Sequence, residues 1–159
     1  MDLTSKTPEQ LELIISRHRD AGKMSAALCK EAMAELSTRT VKGFDLKRAI
    51  DHLIASAKTG VPTDFKKIAV ASGVFDEGSQ KWGNWVTGAL NLDRLCIYCT
   101  HHHFPQLTAM LGNAGGKTND AVCEGFLKGL DAAGIDYSGE SRVIYEEHRK
   151  VCIDWGKTA

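Results

Sequence analysis

The densest chemistry in the chain is the stretch "CIYCTHHHF", Cys96 to Phe104. On a continuous helix Cys96, Cys99 and His103 fall at i, i+3 and i+7, hence on one side, with His102 near enough to substitute. Thiolate and imidazole suit tetrahedral Zn2+, and Cys123, Cys152 and His148 are the candidates for a fourth ligand. Against the metal stands a plainer reading. The two thiols are small core side chains, and the histidines sit at a helix C-terminus, where partial negative charge favours imidazolium. Cysteine–histidine nucleophilic catalysis through Cys99 and His102 or His103 lacks an oxyanion hole or an orienting carboxylate at recognisable spacing. We therefore expect no obligate cofactor, with Zn2+ at Cys96, Cys99 and His103 as the alternative. Further on, "YEEHRK" (Tyr145 to Lys150) reads as the charged outer face of a terminal helix.

A second stretch, "GNAGGKT", invites a phosphate-binding reading. The pattern G-x-x-x-x-G-K-[ST] wraps phosphates in backbone N–H groups and needs a glycine at position 111, where this chain has Leu111. Gly112 leaves the loop one residue short. No second strand ending in Asp comes after it to hold Mg2+. The glycines are there for turning.

Helical elements dominate the positioning frame. Thr7, Pro8 and Gln10 form a capped start, followed by Leu11, Ile14 and Ile15 at helical spacing. A second helix spans Ser25 to Leu36, and Asp45 caps a third with Leu46, Ala49, Ile50, Leu53 and Ile54 inward. Thr63 caps a short helix that buries Phe65, Ile68 and Ala69. A long helix runs from about Gln80 to His102. "QLTAML" is the best strand candidate. Helices over Asp120 to Ala133 and Ser141 to Gly156 close the chain, the last burying Ile144, Val151, Cys152 and Trp155. Trp82 and Trp85 read with Trp155 as core anchors.

Three helices, then a strand, a glycine turn and a return is the order of a winged helix-turn-helix, whose third helix enters the major groove while the wing touches phosphates. Lys81, Asn84, Thr87, Asn91 and Arg94 share one face of the long helix. Asparagine and arginine pair bidentately with adenine and guanine edges. Lys117 would reach from the wing, and Lys66 or Lys67 from the preceding helix.

The stretch "TDFKKIA…NWVTGALNLD…FPQLTAML" resembles the helix–helix–strand core of the winged-helix domain in alkylguanine alkyltransferases and alkyltransferase-like proteins. It is also similar to small bacterial and phage-borne proteins with a "glPpLtaLV" segment. The resemblance covers about Thr63 to Phe126. It implies a winged-helix fold and, by analogy, DNA binding. The alkyltransferase nucleophile sits in a Pro-Cys-His-Arg motif. Here the residues are "YCTHHH", without the proline or the arginine and with a threonine between cysteine and histidine, so the resemblance does not extend to alkyl transfer by Cys99.

Composition bounds the rest. The 159 residues carry 20 basic and 20 acidic side chains, a formal charge of zero. That balance disfavours a broadly basic nucleic-acid coat. The N-terminus shows no secretion signal and no run reaches membrane-spanning length. Five cysteines, an odd number, read as reduced thiols in a cytoplasm. The expectation is a mainly α chain with a small β element (α+β). Residues 1–42 form a helical N-terminal extension, and residues 43–159 a winged-helix-like core with C-terminal helices. Its expected work is that of a non-enzymatic, cytoplasmic binding module acting on DNA or in a DNA-associated complex. The alternatives are an interaction or inhibitor protein, phage- or mobile-element-encoded, and then a zinc- or cysteine-dependent enzyme. DNA or a protein is the expected partner, and a membrane is not.

Overall fold

The computed structural model describes residues 2–39, 45–73 and 90–159. Among these lie seven α-helices: α1 (Pro8–Asp20), α2 (Ala27–Ser37), α3 (Leu46–Thr59), α4 (Phe65–Ala71), α5 (Leu90–His101), α6 (Asp120–Ala132) and α7 (Ser141–Thr158). A two-stranded sheet pairs β1 (Thr63–Asp64) with β2 (Leu111–Gly112). The chain is mainly helical with a minor β element. None of the described helices is long and apolar enough to cross a membrane.

Local chemistry sets the helix starts. Thr7 and Gln10 close a reciprocal capping box at α1, and Pro8 occupies the first turn, where its missing N–H is no loss. Asp45 accepts from Arg48 N at α3, and Asn119 from Val122 N at α6. At α4 the cap is Asp64 rather than Thr63, with Asp64 Oδ1 2.8 Å from Lys67 N. The Thr63 hydroxyl is engaged elsewhere, 2.7 Å from His52 Nε2.

Helix α5 runs through the middle. On one side the α1–α2 hairpin packs Leu11, Ile15, Cys29, Met33 and Leu36 around Ile97. On the other, Leu95 and Cys99 join the main core with Ile50, Leu53, Ile68, Leu130, Ile144 and Tyr145.

The strand expected at "QLTAML" is mostly something else. Leu107–Met110 forms a 3-10 turn, buried throughout, and only Leu111–Gly112 is extended. Physically, this segment is wedged among α3, α5 and α7, where among the described residues no strand lies alongside Leu107–Met110 to satisfy its backbone. A 3-10 turn satisfies it locally, with Ala109 N donating to Gln106 O. Nor do the described residues form the antiparallel ribbon of a wing here. β2 pairs in parallel with β1, Thr63 opposite Leu111 and Asp64 opposite Gly112, and the turn beyond closes on itself through an Asn113–Lys117 bridge.

Candidate functional site

Cys96 and Cys99 face the core from α5. Burial pushes both thiols up to about 12, and Cys96 Sγ sits 3.4 Å from Thr108 Oγ1. Cys152, its thiol also pushed up to about 12 by burial, donates to Gln106 O at 3.3 Å. His103 is elsewhere. The helix ends at His101, and His103 turns into the left-handed region (φ 57°) and out to solvent. The i+7 relation with Cys96 is therefore lost, and the structure does not bring the imidazole to the thiols. Among the described residues no three His, Cys, Asp or Glu side chains are grouped to hold a metal. His102 lies over Tyr98, ring centroids 4.0 Å apart.

The polar stripe on α5 needs a correction. Arg94, expected to read base edges, has a side chain 0% exposed, and its Nε lies 3.0 Å from Glu12 Oε1 of α1. The α1–α2 hairpin covers Arg94, so in this conformation it touches no outside ligand. Lys81, Asn84 and Thr87 lie outside the described residues, as does the side chain of Asn91. Lys66, Lys67 and Lys117 are exposed. They flank one corner, where the start of α4 meets the glycine turn: Asp64 Oδ2 accepts from Gly115 N at 3.2 Å.

The glycine turn itself is folded inward. Gly116 N donates to Asn113 O and Asn113 N to Lys117 O. With Gly115 N held by Asp64, these amides are not available to cradle a phosphate. Two glycines are required by close approach. A Cβ at Gly112 would stand 2.6 Å from the Gly116 carbonyl, and one at Gly116 2.5 Å from Pro62 Cβ. Arg149 of α7 clamps the segment. Its Nε donates to Ala109 O at 2.8 Å, Nη1 to Gly116 O at 3.3 Å and Nη2 to Leu111 O at 3.4 Å. Tyr145, beneath the guanidinium, also donates to Leu111 O.

Beside this clamp opens a half-enclosed cleft of about 300 Å3. Phe65, Leu111, Val122, Phe126 and Tyr145 give it apolar walls, and Asn113 and Thr108 supply polar groups. Its described lining carries no charged side chain. One wall is the small-residue face of α6, where Gly125 and Gly129 stand one turn apart. Gly129 lets α6 close on α5, since a Cβ there would meet Cys96 Sγ at 2.6 Å, whereas a Cβ on Gly125 meets nothing within 4 Å. Sequence reasoning missed this cleft. The available signal was Ala121, Gly125 and Gly129 at steps of four along α6. Comparison with protein-family models, with curated proteins and with solved structures gave no match.

Proposed function

We propose that the protein is a non-enzymatic binding module that accepts a neutral, apolar anchor side chain of a protein partner in the cleft between α5, α6 and the glycine turn. The carrying observation is the cleft's lining: apolar walls, a few amide and hydroxyl groups and no charged side chain in its described part. A pocket with that balance is the usual form of a recognition site. Its volume of about 300 Å3 takes a group of about ten water-sized units. Being half-open, it engages one anchor residue while the remainder of the partner stays outside, the arrangement of an interface hot spot. The one cysteine in the lining, Cys96, has its thiol pushed up to about 12 by burial, so it is protonated at neutral pH and a poor nucleophile.

Calorimetric titration with the N-acetyl amides of tryptophan, leucine and aspartate tests this reading. It predicts weak, saturable binding of the first two and none of the third. Equal binding of all three, or of aspartate alone, contradicts it.

A second reading, DNA binding, draws on one observation, the exposed Lys66, Lys67 and Lys117 around the turn. Three phosphate contacts predict that log affinity for a short duplex falls with log salt at a slope of about −3. Each Lys→Ala change would lower that slope by about one. Salt-independent or undetectable duplex binding removes this reading and leaves the first untouched.

A further inference from the structure

The seam between the α1–α2 hairpin and the rest of the molecule is incompletely matched. The hairpin packs a cluster of its own, to which the remaining described chain adds Ile97 as its buried member. Two clefts run along the seam. One of about 330 Å3 lies among Glu12, Ser16, Arg19 and Asp93. The other, about 450 Å3, lies among Asp20, Met24, Asp131 and Gly134. Arg94 is buried at the same seam, against Glu12 of α1. Glu12 engages Nε alone, and Nη1 and Nη2 are buried with no hydrogen-bond partner among the described residues. An unpaired buried donor carries the full desolvation penalty of that group, and a charged one more so.

The charges around Arg94 point the same way. Burial raises the Glu12 carboxyl against the pull of Arg94. Burial also raises Asp93 against the pull of Arg19. Closing the hairpin thus buries Arg94 and half-buries the Glu12 and Asp93 carboxylates, and these charges pair incompletely. A guanidinium fork left with two N–H edges suits an oxyanion held side-on through two parallel bonds, which Glu12 does not supply.

We propose that the α1–α2 hairpin is a displaceable cover, and that lifting it presents Arg94 as a recognition site for an oxyanion, carboxylate or phosphate, for which Glu12 stands in while the cover is closed. The proposal is independent of the cleft on the far side of α5.

Cys29 is a built-in reporter. It is buried in the hairpin cluster, whereas Cys99 and Cys152 are buried in the main core. Alkylation of the intact native protein, followed site by site by mass spectrometry, reads the two openings separately. The cover predicts that Cys29 reacts about tenfold faster than Cys99 and Cys152. Glu12→Ala, which strips the buried Arg94 of the one acceptor it has among the described residues, raises the Cys29 rate by about another tenfold and leaves the core thiols unchanged. Sodium phosphate or acetate, against chloride at equal ionic strength, accelerates Cys29 in the wild type by binding the open form, and not in Arg94→Met. Acceleration by phosphate alone assigns the site to phosphate, and by acetate to carboxylate. Reaction of all three thiols at one rate overturns the cover. An anion effect that is absent from the wild type, or undiminished in Arg94→Met, overturns the site. Should Arg94→Met fail to fold, the Glu12→Ala comparison still decides the cover.

Discussion

Gly125 and Gly129 stand one turn apart on α6 and meet opposite demands. A side chain at Gly129 must displace the buried Cys96 Sγ at 2.6 Å, whereas at Gly125 there is open space. Gly129→Ala is therefore predicted to destabilise by about 1–3 kcal/mol through overpacking. Gly125→Leu is predicted to hold or raise stability, since leucine is the better helix former by about 1 kcal/mol. Thermal unfolding of the two variants checks the order, and a larger loss at Gly125 contradicts it. Arg149 supports a second prediction at this scale. Arg149→Met removes the donors to the carbonyls of Ala109, Leu111 and Gly116 and should lower stability by about 3 kcal/mol in urea titration. A change below about 0.5 kcal/mol would show the clamp to be dispensable. Single residues are legible in sequence where the partner is local. Thr7 and Asp45 cap as their spacing announces. Arg94 reads as outward from sequence because its partner, Glu12, lies 82 positions away and leaves no trace in helical periodicity.

Helices as elements are legible for the same reason, since a period of 3.6 is written locally. The 3-10 turn at Leu107–Met110 is not, because its conformation answers to the helices around it rather than to its own apolar run. Phase on α7 is legible only in part. Tyr145 is buried and Val151 is 54% exposed, the reverse of a simple apolar-in reading, because Tyr145 tracks the glycine turn it hydrogen-bonds. Elements also differ in their response to acid. Glu12 and Asp93, at the hairpin seam, have carboxyls raised by burial. Their contribution to docking is full below the ordinary values of 4.5 and 3.8 and is lost as pH rises through the raised ones. His52 and His148, in the main body, are lowered by burial from 6.5. Their contribution is full above 6.5 and is lost as pH falls through the lowered values. Acidification from neutrality should thus strengthen hairpin docking while weakening the core. Hydrogen exchange, corrected for intrinsic rates, should show protection in α1 and α2 approaching that in α3 and α7. A widening gap contradicts these assignments.

At the scale of the molecule, two apolar clusters share α5: the hairpin cluster through Ile97, the main core through Leu95 and Cys99. The cleft belongs to the whole. Phe65 comes from α4, Cys96 from α5, Asn113 from the turn, Gly125 from α6 and Tyr145 from α7. No local pattern in the sequence assembles five such elements, which is why the helical composition is readable and the cleft is not. The proposed occupant of this cleft is a neutral apolar side chain. Heteronuclear NMR titration of the protein with N-acetyl-tryptophanamide, in the wild type and in Gly125→Leu, tests it most directly. Saturable shifts centred on Phe65, Leu111, Val122, Gly125 and Phe126 are expected in the wild type, and none in a folded Gly125→Leu. Shifts that persist in the filled variant, or that gather on another face, would contradict it.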